Sequence, residues 1–538
     1  MGVDRFRGTD MKGFRQSQST LHTWSGLLLG WILFAVFVAG TAAYWREALN
    51  RWTRPELAQI EQPERVVSGA VAYLTKRAPD AQSWFIPVPT TESAGSQVFW
   101  QPQVEKGEER RRGRGRRDTQ ALIGADGQAV TARETRGGDF FYRFHFDLHY
   151  MPVFWARWIV GIAAMFMLVA ILTGIVTHKK IFRDFFTLRR GKGQRSWLDG
   201  HNASAVLALP FHLMITYTGL VTLMAMLMPW AVVANYTDET KLFAAVFPQA
   251  PVVERAERVV PLTPIAPLLR DAERELGGPV GYVGVTNPND AAARITMTRA
   301  GTSMLSARTP SIAYDGVTGR EVWRAPAPDG ATVTQGAMVG LHAGRFGDFG
   351  IRWLYFLCGI AGSIMVASGL VLWTVKRRER LPDPARPPFG FRMVERLNIG
   401  FVAGFPIAMT LYLWANRLLP LGMERRADGE INAMFVGWGI VFAYALVRQP
   451  NRAWVELLGL LAGLLLALPL YNLVALPTGL VATILRGDWV LAGADLTLAG
   501  LGAGFAFAAW RVHRFRPKAR RRAVREMPVS SNAWAPAE

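Results

Sequence analysis

Residues 201–219 read HNASAVLALPFHLMITYTG, an apolar stretch that carries two histidines, His201 and His212. The two positions are eleven residues apart, close to three turns of an α-helix, so both imidazoles are expected on one helical face. The rise between them is about 16 Å, roughly half the hydrocarbon thickness of a bilayer. Ionisable residues inside a membrane span are costly and by default mark a functional site. The stretch therefore predicts a membrane helix whose function depends on histidine.

The composition is that of a membrane protein with several spans. Hydrophobic residues make up 50% of the 538 positions and are concentrated in long runs separated by polar segments. The formal charge of +20 lies largely beside those runs, so the positive-inside bias explains it better than nucleic-acid binding does. The single cysteine, Cys358, excludes an internal disulfide and a thiolate-held iron–sulfur cluster within one chain.

Eight spans are predicted, and the basic residues of the short loops place both termini in the cytoplasm. The predicted order is a cytoplasmic N-terminus (1–21), a first span (22–44), an external domain (45–150), a second span (151–178), a cytoplasmic loop (179–200), a third span (201–232), a second external domain (233–350), a fourth span (351–375), a cytoplasmic loop (376–397), four further spans (398–511) and a cytoplasmic tail (512–538).

Both external segments have the pattern of a helix followed by strands. In the first, ERVVSGAVAYLTKRA has helical periodicity, and SWFIPVP, QVFWQPQ and TQALIGADGQAV are typical of strands. In the second, TPIAPLLRDAERELG precedes GYVGVTNP, ARITMTRA and SIAYDGVTGREVWR. The basic run at 105–118 is either a solvated hairpin tip or an electropositive landing site for an anionic ligand.

The first four spans contain an internal repeat. HTWSGLLLGWILFAVFVAG, from His22, aligns without gaps on HNASAVLALPFHLMITYTG, from His201. The second and fourth spans also match, which pairs Arg157 with Arg352. Because both units have the same orientation, a pseudo-twofold axis along the membrane normal is expected.

Seven of the eight histidines lie within or at the ends of these four spans, at positions 22, 145, 149, 178, 201, 212 and 342. A low-spin haem b needs two axial imidazoles from facing helices, and a four-helix bundle is a usual place for such a site. Two haems stacked across the membrane would form an electron path. The alternatives are zinc, for which no HExxH is present, a proton relay, and hydrogen-bonded anchors at the interface.

The axial pairing is left open by the sequence. The repeat suggests His22 with His201 on the cytoplasmic side, close to His178, and His149 with His342 on the external side. His212 is an alternative member of the outer pair. His145 and His149 also have the i,i+4 spacing of a metal site, which is a weak signal.

Arg157 and Arg352 lie near the external ends of their spans. There a guanidinium could hold haem propionates, or could simply extend to the membrane interface. The glycines of these spans would allow helices or a porphyrin to approach closely, although packing alone also explains them.

The residues resemble a known family. LHTWSGLLLGWILF, ILTGIVTHKKIFRDFFTLR, WLDGHNASAVLALPFHLMITYTGL and ASGLVLWTVKRR are similar to the PepSY-associated transmembrane proteins, and most similar to bacterial inner-membrane ferric-siderophore reductases. The external segments, with SIAYDGVTGREVW the clearest, resemble PepSY domains. The resemblance spans about residues 10–380.

The resemblance implies a polytopic α-helical fold with a four-helix bundle for two haem b groups, two external α+β PepSY-like domains and an appended C-terminal helical bundle. It implies an oxidoreductase of the bacterial inner membrane, which reduces a periplasmic ferric siderophore and releases Fe(II). No fused nicotinamide-binding domain is evident, so a quinol, a cytoplasmic reductase or a small reductant is expected as electron donor, with membrane lipid around the spans. The alternatives are a non-redox PepSY regulator that binds a protein partner and a transporter that uses the last four spans.

Overall fold

The computed structural model of the chain describes residues 4–103, 119–177, 194–236 and 239–515. In these ranges six helices are long and apolar enough to cross a membrane, and the number rises to eight if each of two bent helix pairs is one span. This confirms the prediction of a helical membrane protein with several spans. The basic run at 105–118 lies outside the described residues.

The described part of the first repeat unit runs from the first span to the end of the second. Its helices are α1 (Asp4–Leu28), α2 (Gly30–Ala43), α3 (Arg46–Trp52), α4 (Pro63–Arg77), α5 (Gly137–Asp147) and α6 (Val153–Thr177). Its strands are β1 (Ser83–Pro87), β2 (Ser96–Gln101), β3 (Gln120–Ile123) and β4 (Ala129–Val130).

The second unit repeats this order, with three short helices after the third span where the first unit has one, α3. Its helices are α7 (Gln194–Leu207), α8 (Leu209–Thr222), α9 (Met224–Leu227), α10 (Pro229–Asn235), α11 (Glu239–Val246), α12 (Ile265–Glu275), α13 (Gly330–Ala343) and α14 (Phe349–Arg378). Its strands are β5 (Val280–Thr286), β6 (Arg294–Arg299), β7 (Ser311–Asp315) and β8 (Glu321–Arg324).

The appended bundle follows the second unit. It consists, within the described residues, of α15 (Phe389–Val402), α16 (Gly404–Leu418), α17 (Arg426–Val447), α18 (Pro450–Ala475), α19 (Leu480–Leu485) and α20 (Trp489–Arg514). The pair α15 and α16 together forms one apolar span.

The first and third spans are bent at equivalent positions of the repeat. The bend between α1 and α2, at Leu29, is 64°, and the bend between α7 and α8, at Ala208, is 67°. Pro210, just after the second bend, lacks the N–H group that a continuous helix would use. Because both copies bend at equivalent positions, and only the second has a proline there, the bend is a feature of the duplicated unit.

The bend allows each of these spans to pack against two neighbours. α1 packs on α6, whereas α2 packs on α14. The second unit repeats the pattern with the two straight helices exchanged. The four spans therefore form a single bundle in which the two units interlock.

The third span is shorter at its external end than predicted. Its helix ends at Thr222 rather than near residue 232, and the short helices α9 and α10 follow. Pro229 starts α10 and cannot donate into a preceding helical turn, so the apolar run continues without continuing the helix. Trp230 in this segment is largely exposed in the isolated chain.

The two external segments share one antiparallel sheet, with the described strands in the order β4-β3-β2-β1-β5-β6-β7-β8. The junction is the pairing of β1 with β5, where Trp84 lies opposite Val285. The predicted helices and strands are present at the expected positions. The sequence predicts two separate domains, however, whereas the strands of both segments form one sheet. Alternation within a strand shows which side chains point inward and does not show which edges pair.

One face of the sheet is covered by α4 and α12, and both units contribute to a single core there. Trp84 and Ile86 on β1 are fully buried on that face. Phe85 lies between them on the opposite face, where 37% of it is exposed and it stacks on Tyr282. The strand therefore alternates as a half-buried strand should.

The sheet lies over one end of the four-span bundle, which we call the domain side; the other end is the distal side. The loop between β1 and β2 provides Glu92, whose Oε2 accepts a hydrogen bond from Nη1 of Arg352 at the start of α14, at 2.6 Å. Arg51 of α3 donates to the backbone carbonyl of Thr91 in the same loop. α1 begins, and α6, α14 and α20 end, on the distal side.

Replacing Trp84 by alanine should destabilise the sheet by about 3–5 kcal/mol, since it removes a fully buried aromatic ring from the shared core. Phe85→Ala, on the neighbouring position but the opposite face, should cost about 1 kcal/mol. Thermal unfolding of both variants in detergent, detected by proteolysis within the sheet, measures the difference between their losses of stability. Equal losses in the two variants would contradict the assignment of the buried face.

Candidate functional site

Four histidines of the four-span bundle form two facing pairs. On the distal side, the ring centres of His22 (α1) and His201 (α7) are 6.3 Å apart, with 65° between the ring planes. On the domain side, the ring centres of His145 (α5) and His342 (α13) are 6.0 Å apart, with 30° between the planes. We call them the distal pair and the domain-side pair.

Each ring is held by a hydrogen bond between its Nδ1 and a backbone carbonyl oxygen of a neighbouring span. The acceptors are Ala170 O for His22 at 2.8 Å, Met365 O for His201 at 3.0 Å, Val36 O for His145 at 2.8 Å and Ile215 O for His342 at 3.0 Å. Because a carbonyl oxygen only accepts, Nδ1 carries the proton and the lone pair of the neutral ring lies on Nε2. This is the arrangement that orients metal-ligating histidines.

A glycine lies against each ring, so close that a Cβ at that position would touch the imidazole. The distances from such a Cβ to the nearest ring atom are 2.5 Å for Gly40 and His145, 2.9 Å for Gly219 and His342, and 3.2 Å both for Gly174 and His22 and for Gly369 and His201. The helices can approach the rings this closely because these positions have no side chain.

These contacts are duplicated along with the spans. Val36 and Ile215 are equivalent in the alignment of the repeats, and so are Gly40 and Gly219. The acceptors and glycines of the second and fourth spans are equivalent in the same way. Both copies of the unit therefore contain the carbonyl acceptor and the glycine that contact each imidazole ring, as well as the histidines themselves.

The separation of the ring centres in both pairs agrees with that of two imidazoles on one haem iron. An Fe–N bond of about 2 Å, plus about 1.1 Å from each Nε2 to its ring centre, places two axial imidazole centres about 6 Å apart. The observed separations of 6.3 Å and 6.0 Å agree with this value. Two neutral imidazoles from facing helices are also the donor set that haem b uses.

The same side chains do not form a zinc site. In the described part of the chain, no three His, Cys, Asp or Glu side chains come together in a group that could hold a metal ion. A protein zinc site uses three or four such ligands. The paired histidines are therefore better matched to a centre with two protein ligands.

His149 is not a member of the domain-side pair. Its ring stacks against Phe435 of the appended bundle, with 5.6 Å between the ring centres. The prediction that His149 faces His342 is wrong. It rests on the similarity of Leu148-His149 to Leu341-His342, whereas the residue that occupies the same place in its helix as His342 is His145. His145 and His342 each lie in the last turn of their helix, whereas His149 follows the helix end; that position is the signal that would have identified His145.

His212 is buried in the middle of the bundle and belongs to neither pair. Phe37 lies edge-on to its ring at 6.2 Å, and a Cβ at Gly362 would be 3.1 Å from its Nε2. Among the described residues, neither ring nitrogen has a partner in normal hydrogen-bond geometry. The alternative in which His212 joins the outer pair is not what the structure has, since His145 takes that position. His178 lies outside the described residues.

Arg157 and Arg352 are both paired with carboxylates of the chain itself. Nε of Arg157 donates to Oδ1 of Asp147 at 2.8 Å. Arg352 uses both Nη1 and Nη2 to bind the carboxylate of Glu92. Since these carboxylates already engage the guanidinium groups, the geometry does not favour the predicted role in binding haem propionates.

Arg15 lies on α1, on the distal side of His22, and contacts the end of α6. Its Nη2 donates to the carbonyl of Thr177 at 2.7 Å, one turn beyond Gly174, which contacts His22. In the described ranges Nε of Arg15, Oγ1 of Thr177 and Nε1 of Trp373 are buried without a hydrogen-bond partner. Arg15 precedes His22 by seven residues, about two turns, and this spacing is the signal that finds it. A guanidinium with an unused donor at this place suits a carboxylate ligand.

Comparison with known proteins places these features in a family. The sequence matches the family described as PepSY-associated TM region over residues 19–376, a range that includes both histidine pairs. It is also similar to an uncharacterized protein of Pseudomonas aeruginosa, with 28% identity over 382 residues, which is 66% of this chain and 90% of the relative.

The glycine contacts predict opposite effects of one substitution at two positions of the first span. Gly40→Ala should destabilise the protein by about 1–3 kcal/mol, because its Cβ would lie 2.5 Å from His145. Gly26→Ala, where nothing lies within 4 Å, should stabilise the helix by up to about 1 kcal/mol. Thermal unfolding in detergent compares the stability of the two variants. A Gly40→Ala variant as stable as the unmodified protein would contradict the close contact between Gly40 and the His145 ring.

Proposed function

The chain belongs to the PepSY-associated TM region family, and we propose that it is a membrane oxidoreductase that holds two haem b groups and reduces a ferric siderophore on its domain side. The single observation that carries this proposal is the presence of two histidine pairs, at the two ends of one bundle, each with the ring separation of a bis-imidazole haem iron.

The distribution of charge supports an orientation with the sheet in the periplasm of a bacterial inner membrane. Basic residues cluster at the distal ends of the helices, at 376–380, 448–452 and 511–514. Lysine and arginine are in excess in cytoplasmic loops. The distal side, with both the start of α1 and the end of α20, is therefore assigned to the cytoplasm.

The histidines would act as fixed axial ligands. The bonds from Nδ1 to the carbonyl oxygens hold the rings in one tautomer and one orientation, in which Nε2 carries the lone pair that would bind iron. Haem bound there would supply one-electron exchange at its iron. Because two histidines of the chain would hold each iron, the residues favour electron transfer over oxygen binding.

Other residues would fix the orientation of the distal group and keep the site dry. Arg15 would provide a donor for a propionate carboxylate on the distal side, with the Thr177 hydroxyl close by. Leu33, Ala163 and Met167 are buried in the same bundle and exclude water from between the spans.

We expect the substrate on the domain side, because the sheet is attached to that end of the bundle by an ion pair. Arg352 lies ten residues after His342 and binds Glu92 in the loop between β1 and β2. A ferric chelate docked against the sheet would therefore lie on the same side of the bundle as His145 and His342. Hard oxygen chelators hold Fe(II) less tightly than Fe(III), so reduction would promote release of the metal.

The purified protein should contain two haem b groups per chain. His22→Ala and His145→Ala should each remove one of the two, since each takes away one axial ligand, and the pyridine haemochrome assay counts them. His149→Ala is the matched control and should keep both. Colourless protein from haem-replete cells would favour the alternative of a non-redox regulator that binds a protein partner.

Ferric siderophores should reoxidise the dithionite-reduced protein under anaerobic conditions. A hydroxamate, a catecholate and a phenolate siderophore are suitable probes, and at least one should return the Soret band to its oxidised position while a ferrous chelator traps Fe(II). The gallium(III) complex of the same siderophore is the control, because it has the same shape and cannot accept an electron. No reoxidation by any of the three would contradict the substrate class.

A further inference from the structure

The appended bundle contacts α5, the helix that carries His145 of the domain-side pair. Phe140 of α5 stacks on Tyr412 of α16, with 5.0 Å between ring centres, and Phe144 stacks on Phe405 at 5.4 Å. In contrast, α13 packs against the loop at 305–308 of the sheet domain through its glycines. The two histidines of this pair are thus supported by different structures.

The start of α5 is also anchored to the appended bundle by hydrogen bonds. Gly137, with φ of +53°, donates its N–H to Oγ1 of Thr135 at 3.0 Å and accepts from the Tyr412 hydroxyl at 3.2 Å. The Thr135 hydroxyl in turn donates to Oε2 of Glu430 at 2.5 Å. Both polar groups of Gly137 are therefore oriented by residues that contact, or belong to, α16 and α17.

Glu430 is itself fixed inside the appended bundle. It forms an ion pair with Arg426 in which both side chains are fully buried, and it accepts from Nδ2 of Asn416 at 2.8 Å. Arg426 also donates to the backbone carbonyl of Asn416 at 2.6 Å. A buried ion pair that is held by several further hydrogen bonds is a geometrically specific anchor, because a large displacement would leave a buried charge without compensation.

We propose that the appended helices act as a clamp that positions His145, through the link from Glu430 to Thr135 and Gly137 and through the two aromatic stacks. The anchored start of α5 lies eight residues, about 12 Å, before His145. Phe144, next to the histidine, stacks on Phe405, so the helix is held both at its start and directly before the histidine. Thr135 and Tyr412 are positioning residues that act on His145 through the backbone of α5.

This inference rests on the proposed function, because the haem serves as the reporter of His145. The test uses the full-length protein with Thr135→Val combined with Tyr412→Phe, and each substitution singly in case the double variant does not fold. Both remove hydroxyl groups and keep the size of the side chain. The readouts are the midpoint potentials of the two haems, the electron paramagnetic resonance signals of the ferric state and the amount of carbon monoxide bound per chain.

The expected result is a change in one haem only. Its potential and resonance signal should shift, and carbon monoxide should bind to up to one haem per chain as His145 releases the iron. The unchanged haem should be the one that His22→Ala removes. Thr135→Ser, which keeps the hydroxyl, and Tyr444→Phe, which removes a hydroxyl bonded to Glu456 elsewhere in the appended bundle, should resemble the unmodified protein.

Two results would overturn the clamp. One is a folded double variant in which both haems keep their potentials and resonance signals. The other is an equal change in both haems, which would indicate a general loss of packing. A wild-type protein without haem would instead contradict the proposed function, so the two failures are distinguishable.

Discussion

An imidazole inside a membrane bundle has two nitrogens to satisfy and no water to satisfy them, and the arrangement of the four spans follows from this constraint. In four histidines Nδ1 is satisfied by a carbonyl oxygen that also belongs to a helix of the bundle. Such a carbonyl can accept a second hydrogen bond because it has two lone pairs. The ring centres of each pair then lie 6.3 Å and 6.0 Å apart, a separation that agrees with two imidazoles bound to one metal centre.

The bends in the first and third spans make this arrangement possible. A straight first span would place its distal and domain-side halves against the same neighbour. With the bend at Leu29, α1 delivers His22 to α6 while α2 receives His145 from α5 and packs on α14. The equivalent bend at Ala208 does the same for the second unit. Duplication of one bent unit thus creates two facing pairs from four similar seats.

Much of the fold could be predicted from the sequence because apolar runs and alternation depend on local chemistry. The spans, the strand positions and the juxtaposition of His22 with His201 follow from hydropathy and a gap-free repeat. The pairing of β1 with β5 could not be predicted, since edges of similar strands are chemically alike. His145 was not identified as the partner of His342 because the two units differ by two residues in the spacing between the histidine and the arginine. The Leu-His dipeptide at His149 also resembles the one at His342 and suggested the wrong alignment. Arg352 binds Glu92, a loop residue 260 positions away, and Arg157 binds Asp147 at the end of α5. Hydrophobic periodicity predicts neither pairing, because it does not depend on which charged groups meet in the fold.

The central claim is that each histidine pair grips one porphyrin iron. A density map of the purified protein in lipid nanodiscs, at a resolution that shows side chains, tests it most directly. The account predicts two flat macrocycles, one between Nε2 of His22 and His201 and one between Nε2 of His145 and His342, with His149 and His212 coordinating neither. Imidazoles that touch only each other or lipid, with no macrocycle between them, would contradict it.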